Sequence, residues 1–210
     1  MGEHLSSSDS LSLRKKIARE AANLLFLGVE KEYKQAKLKA AETFGVHFLP
    51  TNLEVAVELD RIAEENEGAT RKKRLVEMRR QALKFMKILE AYSPVLVGSV
   101  WRGTVHRESD IDIAVYHDEP DDILEVMKQN NLRVMRSEWR SVTKEGLKKA
   151  SFHIYLEMPA KEKAEVIVRD PEEADHKERC EIYGDVVTGL RIRELEKMLQ
   201  ENPTERFVPF

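Results

Sequence analysis

The sequence predicts an α+β fold: a helical N-terminal region, a core of about five strands and a helical C-terminal cap. Three observations lead there. Residues 11–91 carry apolar side chains at spacings of three, four and seven or eight, the mark of amphipathic helices. After Ser93-Pro94 the character changes to short runs rich in Val, Ile, Phe and Tyr. From Pro171 helical patterns return, in EEADHKERCEIY and LRIRELEKMLQ. The expected divisions are therefore 1–91, 92–170 and 171–210.

Each element has a local reason. Ile17, Ala21, Leu24, Leu25, Tyr33, Ala36 and Ala40 mark a helical stretch from about Leu11 to Thr43. Ser10 or Ser12 caps its start, Gly28 divides it and Gly45 stops it. Thr51 and Glu54 are spaced as a capping box for the next helix, which Gly68 ends. A third helix, Thr70 to about Ala91, carries Leu75, Met78, Ala82, Phe85 and Leu89 on one face. The strands follow as VLVGS, DIDIAVYH, LRVMRSEW, FHIYLEM and AEVIVRD, with one helix, EPDDILEVMKQNN, between the second and third.

Composition bounds the function. The 210 residues are 41% hydrophobic and 35% charged, with a net charge of −3, which argues against a general polyanion binder. The charge is uneven: residues 1–94 hold 17 Lys/Arg against 14 Asp/Glu, and residues 95–210 hold 18 against 24. Cys180 is the only cysteine, so no internal disulfide forms and a reducing compartment is expected. The start, MGEHLSSSDSLSLRKK, has no apolar run, and nowhere do 18 uncharged apolar residues occur together. These features predict a cytoplasmic protein that does not enter a membrane.

The stretch VGSVWRGTVHRESDIDIAV, Val97 to Val115, carries the chemistry. In a strand, Asp110, Asp112 and Ala114 share one face while Ile111, Ile113 and Val115 share the other. Two anions side by side on a rigid strand repel unless cations sit between them. That geometry suits a pair of divalent ions about 3.5–4 Å apart, and equally a solvated strand face. Upstream, Gly98 lets an oxyanion approach the backbone, Ser99 adds a donor, and Val100-Trp101-Arg102 can begin a short helix whose amides favour phosphate.

Gly98-Ser99, Arg102-Gly103-Thr104 and Ser109-Asp110-Ile111-Asp112 together resemble the signature of the DNA polymerase β-like nucleotidyltransferase superfamily. The Arg-Gly step is similar to its minimal nucleotidyltransferases, and the Gly-Thr step to archaeal-type CCA-adding enzymes. The resemblance covers residues 92–170. It implies a small mixed, palm-like sheet with flanking helices, a serine that holds a nucleoside triphosphate, and paired aspartates on two Mg²⁺ or Mn²⁺ ions. Nucleotide contacts then fall to Gly98, Ser99, Arg102, Gly103, Thr104 and Ser109. The catalytic, metal-holding carboxylates are Asp110, Asp112 and a third from a later strand. Glu165, an acid within the apolar run AEVIV, is the choice for that third position, and Glu157 the runner-up; the family more often places Asp there. The implied reaction moves a nucleoside monophosphate to an acceptor hydroxyl with release of pyrophosphate.

The acceptor is expected to be RNA or a protein, and RNA is favoured by the helix ATRKKRLVEMRRQALKFMK. There Arg71, Lys72, Arg79 and Arg80 are expected to face out, or to form a solvated helix face. Trp139, between Arg136 and Arg140, can stack a base or pack at an edge. Trp101 either shapes the nucleotide pocket or lies buried under its helix. His106, His117, His153 and His176 form no zinc spacing with Cys180, and no Ser-His-Asp pattern is evident. Two other readings stay open: an antitoxin-like regulator that nucleotidylates or binds a partner protein, and a non-catalytic nucleotide- or RNA-binding module.

Overall fold

Residues 7–144, 147–158, 162–176 and 178–209 are described by the computed structural model of the chain. Packing divides them into two compact units. The first runs to Arg71 and includes the segments His106–Glu108 and Cys180–Asp185; the second takes Lys72–Val105, Ser109–Arg179 and the chain from Val186.

The first unit is helical. It contains α1 (Ser7–Phe26), α2 (Tyr33–Thr43) and the first part of α3 (Asn52–Ile88). Ala18, Ala21, Ala22, Ala36 and Ala40 are almost wholly buried, and these short side chains let the helices approach around Ile17, Leu25, Val55 and Ile62. The expected break at Gly28 is present: its φ of 69° turns the chain, and the Val29 amide closes the helix end on the Leu24 carbonyl. Helix α1 starts at Ser7, ahead of both expected serine caps. The capping box also forms, Thr51 N donating to Glu54 Oε2 at 2.6 Å and Glu54 N to Thr51 Oγ1 at 3.1 Å.

Arg14 adds an ion pair to Glu54 at 2.7 Å. The Arg14 hydrogen bond, opposed by burial and aided by Thr51, brings the Glu54 carboxyl down to about 2. A depressed carboxyl stabilises the fold above its ordinary range and loses that contribution as pH falls through about 2. The Glu54→Gln variant keeps the box but loses the ion pair with Arg14, so it should lose up to ~1 kcal/mol at neutral pH. Its melting temperature should converge on that of the wild type as the solution is acidified.

At Gly68, φ 47° and ψ −124° interrupt α3, so the two helices expected on either side of it are joined end to end. Arg71 reaches back across this kink to Asp60 at 2.5 Å and Glu64 at 3.2 Å, and is 4% exposed. It is a buried clamp rather than an outward-facing cation.

The second unit is a six-stranded mixed sheet. Its elements are β1 (Val95–Val97), α4 (Gly98–Arg102), β2 (Ile111–Tyr116), α5 (Pro120–Gln129), β3 (Arg133–Lys144), β4 (Leu147–Glu157), β5 (Lys163–Arg169), β6 (Leu190–Arg191) and α6 (Ile192–Glu201). The strand order is β3-β4-β5-β2-β1-β6. Only β2 and β5 pair in parallel; the other neighbours are antiparallel. One face of the sheet buries Leu96, Ile111, Ile113, Val115, Ile154, Leu156, Val166 and Val168. It forms a single core with Met78, Phe85, Met86 and Leu89 of α3, Ile123 and Met127 of α5, and Leu195 of α6. The other face carries the polar side chains considered below.

The five expected strands are present, and the α+β class holds. Two details differ. Strand β6 occupies the start of a segment expected to be helical throughout. Among its described residues the segment EEADHKERCEIY forms no α-helix: after a short 3₁₀ turn at Pro171–Glu173 there is an isolated bridge between Arg179 and Val186. Its charged residues supply no apolar stripe to bury, so helical propensity has no packing to support it. Among the described residues no helix is long and apolar enough to cross a membrane.

Candidate functional site

Strand register assembles the site. Parallel pairing sets Asp112 directly beside Glu165, Tyr155 pairs Glu165 from the other side, and Arg136 pairs Tyr155. With Val97 opposite Asp112 this makes a row across five strands on one face, each step about 4.8 Å. Asp110 lies two residues before Asp112, next to the start of β2. Burial, then the negative charges of Asp110 and Glu165, push the Asp112 carboxyl well above the usual aspartate range. The three acids therefore feel one another across this face.

Gly98 is required by Asp112 itself. Its φ is 69°, and a Cβ at this position would overlap the Asp112 carboxylate. The Gly98→Ala change must displace Asp112 and strain the backbone. A displacement on the scale of 1 Å costs about 10²-fold in rate, so any reaction that uses Asp112 should slow by that order while the sheet still folds. A steady-state assay with a circular-dichroism check tests this.

Ser99 opens α4 in a half-buried position, and Thr104, also half-buried, donates its amide to the Ser99 carbonyl at 3.0 Å. The far end of α4 is fastened to the C-terminal tail. Arg79 is 0% exposed and donates to the carbonyls of Val100, Trp101, Pro203 and Glu205 at 2.8–3.0 Å. Burial lowers its pKa to about 10, so it stays charged at neutral pH. Arg102 is also buried; it lies over the Trp101 ring and donates to the Phe207 carbonyl at 3.0 Å. A Cβ on Gly103 would come within 2.9 Å of the Glu205 carbonyl oxygen. Arg102 and Gly103, both expected to contact a nucleotide, are held against the tail in this structure. Ser109 stays half-buried just before Asp110.

Glu165 is held by its neighbours. His153 Nδ1–H donates to Glu165 Oε1 at 2.5 Å, and His153 Nε2 lies 2.8 Å from Ser151 Oγ. Burial raises the Glu165 carboxyl, but hydrogen bonds from His153 and Tyr155, with the charges of His153 and Arg140, outweigh it, so its pKa lies below the ordinary value. Burial and the Glu165 hydrogen bond push the Tyr155 phenol up to about 12. Glu157, the other candidate acid, sits at the end of β4 opposite Lys163 and is paired with Arg133 at 3.0 Å. Of the two, Glu165 is the one that acts on Asp112.

Among the described residues no three His, Cys, Asp or Glu side chains stand in a preformed metal cluster, and Glu165 is turned onto His153. The donor set still fits hard divalent cations. It offers only oxygen, and a cation would offset both the burial and the neighbouring negative charges that raise Asp112.

Several other expected residues are redistributed. Arg71 and Arg79 are buried and structural, so an RNA contact through them is excluded by their carboxylate and carbonyl partners; Lys72 and Arg80 are exposed. Trp139 is 63% exposed but packs edge-on against Phe152, on the strand face opposite Arg136 and Arg140. It cannot stack a base between them. Trp101 is buried against Phe207, its indole N–H without a partner among the described residues. His117 pairs with Asp122 at 2.8 Å. The sequence reading missed His153 and Tyr155 as partners of Glu165, although FHIYLEM shows the alternation that puts them on one face.

The family model for the nucleotidyltransferase domain matches residues 76–187, more than half of the chain. No curated protein sequence matches. Similar solved structures include a cytoplasmic RNA terminal U-transferase (14% identity, TM-score 0.29, 56% of this chain and 34% of that one). Others are the GLD-2/RNP-8 complex (12%, 0.34, 58% and 38%) and the Cid1 poly(U) polymerase with MgGTP bound (16%, 0.28, 53% and 38%). The chain thus spans little more than a third of the length of these proteins.

Proposed function

Because the chain belongs to the nucleotidyltransferase domain family, we propose that it transfers a nucleoside monophosphate from a nucleoside triphosphate to an acceptor hydroxyl, preferentially on RNA, and releases pyrophosphate. The observation that carries this is the pairing of Asp112 with Glu165, with Asp110 close enough to raise Asp112, beside the Gly98-Ser99 turn. Asp110, Asp112 and Glu165 would hold a pair of Mg²⁺ or Mn²⁺ ions. When bound, these neutralise phosphate charge and acidify the attacking hydroxyl.

The chain's own groups do the rest. The Ser99 hydroxyl and the amides of the turn hold the terminal phosphates. Glu165, oriented by His153 and Tyr155, faces the acceptor and takes its proton. The acceptor oxygen forms a bond to the α-phosphorus as the bond to the β-phosphate oxygen breaks, and pyrophosphate carries away that electron pair. Removing the Glu165 charge should cost about 10²–10⁴-fold, the usual weight of a positioned general base. The Glu165→Gln variant checks this in a pyrophosphate-release assay.

The test of the function is incubation with each α-labelled nucleoside triphosphate, Mg²⁺ or Mn²⁺, and total RNA and protein. Label on RNA with equimolar pyrophosphate supports the reading. Label on a protein replaces the RNA acceptor with a protein one, as an antitoxin-like regulator requires. Nucleotide binding without pyrophosphate marks a non-catalytic module.

A further inference from the structure

We propose that the outer strands β3 and β4 form the seat for the 3′-terminal segment of a single-stranded polynucleotide acceptor, with Arg136 and Arg140 over Tyr155 as its contact group. This rests on the transfer reading above and assigns its acceptor side. Arg136 holds its guanidinium 4.1 Å over the Tyr155 ring, and Arg140 lies 5.5 Å from the same ring. Both side chains are well exposed, at 59% and 47%. Glu138 is the acid in direct contact with both, 2.9 Å from Arg140 and 3.8 Å from Arg136, and the Arg140 charge also acts on Glu165 across Tyr155. Farther along β3, Arg133 and Glu157 neutralise each other.

Position gives this group its meaning. Arg136, Tyr155, Glu165 and Asp112 lie in one register row, so the Arg136 backbone stands two strand spacings, roughly 10 Å, from Glu165 and three, roughly 14 Å, from Asp112, while its guanidinium reaches in over Tyr155, the strand neighbour of Glu165. Glu165 lies between them and Asp112, on the side from which a hydroxyl must approach if the triphosphate occupies the Gly98-Ser99 turn. A chain ending at Glu165 therefore runs out across Tyr155 toward β3. Guanidinium planes stack on unpaired bases and fork onto phosphates, which suits a single strand better than the closed edges of a duplex.

The test is fluorescence anisotropy of the full chain with a labelled single-stranded ten-nucleotide RNA, without nucleotide, over a series of salt concentrations. Single strands lose about 0.7 in salt slope per phosphate contact removed. The Arg136→Ala/Arg140→Ala protein should bind at least about tenfold more weakly, with a slope shallower by about 1.4. Glu138→Gln, which frees both guanidiniums, should bind more tightly than wild type, a gain that simple damage to the hairpin does not produce. Trp139→Ala, on the opposite face, should bind as wild type does.

Unchanged affinity and slope in the double variant, a loss in Glu138→Gln, or no binding by the wild type overturns the seat. Pyrophosphate release is read separately. Its absence from a protein that shows the predicted binding pattern sinks the transfer reading alone. Its presence without that pattern sinks the seat alone.

Discussion

Replacing Asp112 with asparagine should abolish nucleotidyl transfer, by at least about 10³-fold, and at the same time make the metal-free protein harder to melt. The two effects share one cause. Asp112 sits against Gly98, beside Glu165 and near Asp110, where burial and like charge push its carboxyl well up. That arrangement is useful to a bound cation and costly without one. The Asp112 carboxyl binds its proton more tightly in the folded chain than in the unfolded one. Stability from this group is therefore full below the ordinary aspartate value of 3.8 and declines as pH rises toward the raised folded value. Asparagine keeps the shape and removes the charge, so the decline should flatten. At neutral pH the melting temperature of Asp112→Asn should lie above that of the wild type. Melting curves from pH 4 to 8 in chelator, wild type against Asp112→Asn, provide the check. A variant that melts lower at every pH contradicts the electrostatic account.

The Arg79→Ala variant should be the most destabilised single change in the sheet unit. Its guanidinium is sealed from water and serves four carbonyls, two on α4 and two in the tail. Truncation leaves those carbonyls without a donor and frees the turn that carries Ser99. Breaking a buried charged network in this way costs about 3–5 kcal/mol, a large part of an ordinary domain's stability. Arg79→Lys should rescue little, because a single ammonium cannot reproduce a fork onto four acceptors. Urea titration of the three proteins measures the ranking, with wild type highest and both variants well below it.

These residues show what the sequence could and could not convey. The Thr51–Glu54 cap, the Gly28 break and the alternation of Asp110 and Asp112 with isoleucines are local patterns, and local patterns survive without coordinates. Glu165 was legible for the same reason: an acid in an apolar strand needs a partner. Arg79 was not. It stands in a run of eight basic residues, where an outward-facing charge is the ordinary expectation. The carbonyls that bury it come from residues as far as 126 positions away. The tail contact of Arg102 was hidden in the same manner, its partner Phe207 being 105 residues distant. Of the two Trp139 readings, edge packing is the one observed, and base stacking between the arginines fails on a simpler point. Neighbours in a strand face opposite ways, so Trp139 and its flanking arginines cannot share a ligand face.

The account turns on the paired acids of β2 and β5 acting as one cation-holding group beside a bound triphosphate. Its most direct measurement is electron paramagnetic resonance of Mn²⁺ titrated into the protein with a nucleoside triphosphate analogue that cannot be cleaved between the α- and β-phosphates. The wild type should take up Mn²⁺ in a nucleotide-dependent manner, and Asp112→Asn should lose that uptake while remaining folded. Equal Mn²⁺ binding by the two proteins would contradict it.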